Sequence, residues 1–178
     1  MGVISYEMGI FGMPNPDYEE RRRIEEKEKL SSKINLLERL VPQSTIPHIN
    51  SNPLGYVAEK IISTYWDLTR GSVSPFTEHQ LTEAINELNG FDDKKIEKLM
   101  PSLIENYLRR EGESNNSIQI FQHYNFNPKT LRYNHHNAQA DLIEDVTKTI
   151  KKGILEVKTE LSDVIDSIIN IEMPRLRR

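Results

Sequence analysis

The sequence predicts a mostly α-helical chain carrying one small β-hairpin. Three observations lead there. Apolar residues recur at i, i+3, i+4 and i+7 along most of the chain between residues 30 and 108, the spacing of helices that bury one face. From Ile118 to Phe126, apolar Ile118, Ile120, Tyr124 and Phe126 alternate with Gln119, His123 and Asn125, the period of a half-buried strand. From Ile143 to Ile171, a long apolar seam follows steps of three and four.

Composition sets the outer limits. The chain has 178 residues, 37% apolar and 28% charged, which suits a folded, helix-rich protein with a modest core. It has no cysteine, which excludes disulfides, thiolate metal sites and cysteine catalysis. The opening "MGVISYEMGIFGM" lacks a basic leader and a continuous apolar core, so it does not read as a signal peptide. Tyr6 stands where a myristoylation signal needs Ser or Thr. No apolar run approaches the roughly 20 residues that span a bilayer. These features lead us to expect a cytoplasmic protein without membrane contact. The net charge is −4, and no segment is strongly basic.

The elements follow in order. Residues 1–53 form an arm, a charged helix and a linker. Asn15 and Pro16 supply a cap and a first helical position before "DYEERRRIEEKEKL". The front half of that helix is laced with i,i+4 pairs such as Glu19/Arg23 and Arg22/Glu26 and reads as solvated. A packing stripe starts only at Leu30 and continues through Ile34, Leu37 and Val41. Arg21–Arg23 could touch phosphate, but acids interleave with them. The linker "PQSTIPHINSNP" carries three prolines and no period.

Residues 54–134 form the central domain. Asn52 and Pro53 start its first helix, whose stripe is Leu54, Val57, Ala58, Ile61, Ile62, Tyr65 and Leu68, ended by Gly71. Thr77 and Gln80 spell a capping box for the second helix, and Asn89-Gly90 a left-handed stop. Asp92 or Asp93 caps the third helix, with Ile96, Leu99, Leu103 and Tyr107 on its apolar face. Pro101 falls inside this helix and predicts a break near Met100. Leu108–Glu111 and the alternating stretch then make the two strands of the hairpin, with "GESNN" as its tip.

Residues 135–178 form the last unit. Ile143, Val146, Ile150, Ile154, Val157, Leu161, Val164, Ile168 and Ile171 make a heptad-like seam with a stutter near Gly153. One small domain is not expected to cover so long a seam. The seam therefore predicts a homodimer through this coiled-coil helix. Pro174 ends it.

Three helices, a tight turn between the second and third, and a hairpin behind them resemble the winged-helix (helix-turn-helix) DNA-binding superfamily, several of whose regulators attach a dimerisation helix after the wing. The resemblance covers residues 54–133. It implies a dimeric DNA-binding protein and regulator of transcription, with no enzyme activity and no cofactor. In that family the third helix enters the major groove and the wing touches the backbone. Lys94, Lys95, Lys98 and Ser102 would then face double-stranded DNA from the third helix. Arg109, Arg110, Asn115 and Asn116 would do so from the wing, and Lys129 and Arg132 from behind it. The competing reading is a winged-helix subunit that binds protein and not DNA. Glu111 and Glu113 on the wing, which would repel phosphate, favour it.

Other chemistry is thin. There is no phosphate-binding glycine loop, dinucleotide fingerprint, HExxH pair or nucleophile elbow. His135 and His136, with His123 upstream, are the only dense histidines, and adjacent helical positions diverge too far to share a metal. No metal is expected. Trp66 lies off its helix's stripe and is read as packing against a neighbour.

Overall fold

The computed structural model describes residues 16–43, 53–71 and 74–173. The caps expected at Asn15 and Asn52, linker residues 44–52 and Pro174 lie outside these residues, as does Val41's side chain; Pro42 and Gln43, expected in the linker, instead finish the first helix. Among the described residues seven helices run in order: α1 Pro16–Gln43, α2 Pro53–Thr69, α3 Pro75–Gly90, α4 Asp93–Arg110, α5 Asn115–His123, α6 Pro128–Tyr133 and α7 Asn137–Glu172.

The expected hairpin wing is not there. Among the described residues there is no strand, and the stretch 108–126 is two helices joined by a tight corner. Leu108 and its neighbours finish α4. Gly112, at φ +85°, then makes a Schellman stop. The Glu113 N–H reaches Leu108 O (3.0 Å) and the Gly112 N–H reaches Arg109 O (3.2 Å). Two residues later the Ser114 hydroxyl accepts from the Ser117 N–H (3.2 Å) and caps α5. Ile118 and Phe121, one helical turn apart, are the buried pair of α5. The buried side of this short helix is Ile118 and Phe121, while Ile120 sits about 200° round from Ile118 and Tyr124 and Phe126 lie past its end, so the alternation marks no single face. It had already failed at Phe121, where two apolar residues are adjacent.

Three smaller expectations also shift. The N-cap of α3 is Ser74, one turn before the expected Thr77, which instead completes the capping box as its third residue. Asn89-Gly90 makes no left-handed stop: Gly90 ends α3 and Phe91, fully buried, turns the corner. Pro101 does not break α4, which runs unbroken because Ile96, Met100, Ile104 and Leu108 all press into the core. At Gly71 the chain does turn left-handed after α2 (φ +73°).

α7 is the spine. At 36 residues it spans roughly 54 Å at 1.5 Å per residue. All the other helices but α5, which packs on α4, are stacked along it. α6 lies on its first turns, where Arg132 pairs with Asp141 and Glu144. The α3–α4 corner lies on its middle, where Lys158 Nζ donates to Phe91 O (2.6 Å). The rear of α1 lies on its last turns, Leu30 beside Ile171. α2 and α3 pack most closely on each other, while α4 packs on α7 and α5. The third helix of the expected helix-turn-helix unit thus makes its main contacts with the spine, more than with the first two.

This stacking covers the seam. Ile143, Leu161 and Ile168 are 0% exposed, and Val146, Ile154 and Val164 are buried. Ile150 and Ile171 are half-buried, and Val157 is the most open of the seam, at 40%. Ile165 and Ile169 are buried as well, so the apolar stripe is wider than a two-stranded coiled coil uses. The premise of the expected dimer, that one chain cannot cover these residues, does not hold. In α1 the division is sharp. Residues 17–29 have no buried side chain, whereas Leu30, Ile34 and Leu37 are buried.

Candidate nucleic-acid interface

α4 carries the strongest candidate. Its buried positions, Ile96, Met100, Ile104 and Leu108, recur every four residues and fix which side meets the core. Lys95, Lys98, Ser102 and Arg109 recur at steps of three, four and seven, which puts them on the opposite side, and all four are exposed. Lys94 sits one turn before Lys98 and is exposed too. None of the three lysine side chains makes an ion pair among the described residues. The Asp92 carboxylate that could have paired with them is engaged in capping, accepting from the Lys95 N–H at 3.0 Å.

The other expected contacts divide. Arg109 lies on the same stripe but is held by Glu105 (3.6 Å), and it donates to Asn115 Oδ1 (3.2 Å). Glu105 also accepts from Gln122 (2.6 Å), so the end of the stripe near α5 is close to neutral. Arg110 is exposed but off the stripe. Asn115 and Asn116 belong to the first turn of α5 and are not a wing tip. Lys129 is exposed on α6. Arg132 is not free: it meets Asp141 Oδ1 at 2.6 Å and Glu144 Oε2 at 3.0 Å, and these hydrogen bonds hold its guanidinium above its ordinary pKa. It is a clamp between α6 and α7. The structure thus keeps Lys94, Lys95, Lys98 and Ser102 together and scatters the remainder.

Two lysines that the sequence reading left out lie close by. Lys148 and Lys151 of α7 line an open groove whose other wall is α4. Nothing local marks them, because they sit at outer positions of what reads as a coiled coil.

Elsewhere the polar groups are structural. Glu83 gathers Lys60 (2.6 Å), His79 (2.9 Å) and the Tyr56 hydroxyl (3.3 Å), which ties α2 to α3. The Lys60 hydrogen bond pulls the Glu83 carboxyl below its usual range, and the same bond raises Lys60. Trp66 donates to Glu38 and holds α1 on α2. Among the described residues no three His, Asp or Glu side chains converge as a metal site, and no helix is long and apolar enough to cross a membrane. No protein-family model matches the chain, and no match is found among curated proteins or among solved structures.

Proposed function

We propose that this chain is a non-enzymatic protein that binds double-stranded DNA through the outer face of α4. One observation supports the reading above all: three exposed lysines without ion pairs on the free side of a helix packed along one side only. A helix with its side chains is about 10–12 Å across, and a B-DNA major groove is about 12 Å wide. α4 is roughly 27 Å long, enough to lie along that groove. A role in regulating transcription, in a cytoplasmic setting, goes with this reading. It requires no second copy through α7, since the seam is covered within one chain.

The test is a fluorescence titration with random-sequence duplex at low salt. Each lysine that meets a phosphate adds about 0.9 to the slope of log affinity against log salt. Lys95→Ala/Lys98→Ala is expected to weaken binding and to flatten that slope by roughly two units. Wild-type protein that binds no duplex at low salt overturns the reading. In that event α4 faces a protein partner, as Glu105 within the stripe and the net charge of −4 favour.

A further inference from the structure

The groove between α4 and α7 is a second surface, with a chemistry of its own. Three cavities of about 590, 340 and 380 Å³ run along α7. The first two share Glu97 and Lys151, and the last two share Leu155 and Lys158, so they form one trough. It follows α7 from Glu144 to Asp163, roughly 28 Å at 1.5 Å per residue; its other wall is α4 along the first two cavities and Leu88 and Asn89 of α3 along the third. Its floor is apolar: Ile96, Met100, Ile104 and Ile154 show only their edges. Leu155 stands beside them 65% exposed, a large apolar side chain that the fold leaves uncovered.

The two walls carry opposite charge. Asp93 and Glu97, one turn apart, line the α4 side, and Lys148 and Lys151 line the α7 side facing them; of the acids on α7, Glu144 is paired with Arg132 (3.0 Å) and Asp163 lies at the far end, beyond α4. No ion pair crosses between them among the described residues, so both pairs of charges are available to something placed between them. Lys94 and Lys98 lie beyond the α4 rim, on the outer face, so this trough is separate from the surface proposed for DNA.

We propose that the trough is the docking site for an amphipathic helix of another protein, about five turns long. Its apolar seam covers Leu155 and the floor. Acidic residues along one edge meet Lys148 and Lys151, and basic residues along the other meet Asp93 and Glu97. A polyanion fits less well, because the α4 wall repels it. A helix with two oppositely charged edges satisfies both walls and fixes its own direction.

The probe is a synthetic 19-residue helical peptide with leucines on one face, glutamates on one edge and lysines on the other, labelled for anisotropy and titrated into the full chain. Binding is expected. Leu155→Ala is expected to weaken it, and Lys148→Glu/Lys151→Glu to weaken it by about tenfold or more, because like charges then face each other. A peptide with its glutamate edge changed to lysine is expected to recover affinity for the doubly reversed variant. Absence of binding to the wild type, or binding that ignores the charge reversal, overturns the proposal. Self-association of the wild type that Leu155→Asp abolishes overturns it too, because the occupant is then a second copy. A loss of duplex affinity in Lys148→Ala/Lys151→Ala also overturns it, since the trough then belongs to a nucleic-acid surface.

Discussion

Leu161 and Val157 distinguish a seam buried by its own chain from one buried by a partner. Both occupy the heptad-like pattern of α7. Leu161 is 0% exposed and Val157 is 40% exposed. Truncating a fully buried leucine to alanine costs about 2.7–5 kcal/mol, the lost transfer energy plus the cavity left behind. Truncating Val157, which is 40% exposed, removes less buried surface and leaves no enclosed cavity, so it should cost about 1 kcal/mol or less. Leu161→Ala is therefore expected to destabilise the chain several times more than Val157→Ala. Urea denaturation followed through Trp66, the only tryptophan, measures both. The measurement is made at two protein concentrations about a hundredfold apart. A seam covered within one chain gives midpoints that do not depend on concentration. A seam completed by a partner gains up to about 2.7 kcal/mol of apparent stability over that range. Equal costs for the two substitutions, or a midpoint that climbs with concentration, would refute the reasoning.

Two glycines should respond in opposite directions. A Cβ at Gly153 meets nothing within 4 Å in mid-helix, so Gly153→Ala is expected to raise stability by up to about 1 kcal/mol, read as a higher melting temperature. Gly112→Ala is expected to lower it by about 1–2 kcal/mol, because the left-handed φ and not space is the constraint there. Glu83 predicts a pH dependence. Its folded pKa lies below the unfolded value, chiefly through the Lys60 hydrogen bond, so its contribution is present above the unfolded value and is lost as pH falls through the folded one. The melting-temperature gap between wild type and Glu83→Gln is expected to be full near neutrality and to close on acidification below about 4.5. A gap that widens in acid contradicts this assignment.

How much was legible depends on what each signal measures. The apolar stripes of α2, α3 and α4 were readable because a helix that buries one face must repeat near 3.6 residues, and Leu54, Val57, Ala58 and Ile61 do so without interruption. α5 is hard to read because nine residues hold only about two and a half turns, and its buried pair Ile118 and Phe121 is masked by apolar Ile120 between them and by Tyr124 and Phe126 just past its end. Its flanking chemistry was nevertheless decisive. Asn127 before Pro128 is the same cap-and-proline signal that was read at residues 15–16 and 52–53, and the Asn127 side chain accepts from the N–H groups of Lys129 and Thr130. Gly112 followed by Ser114 spells a helix stop and a helix start. Polar turn residues suit a hairpin tip in composition, but their capping roles point to two helices. Pro101 erred in the other direction: a local cost of roughly 3 kcal/mol is smaller than the burial of four apolar side chains along the same helix.

The same distinction separates the two candidate surfaces. Lys94, Lys95 and Lys98 share one helix, so sequence spacing alone places them together, and the structure adds that their side of α4 is the free one. The trough belongs to two helices far apart in the chain. No local pattern couples Glu97 to Lys151; the fold does so by laying α4 along α7. The long seam was legible as a need for cover but not as an address for what covers it. A stripe of heptad residues demands apolar neighbours, and it is silent on whether they come from a second copy or from α1 to α6. Here the width of the stripe carried the missing information. Ile165 and Ile169 beside Val164 and Ile168 exceed the two positions per heptad that a coiled coil requires, and a helix apolar over so broad an arc is one that several neighbours surround. Counting that arc, and not only the regularity of its steps, would have assigned α7 to the core of its own chain.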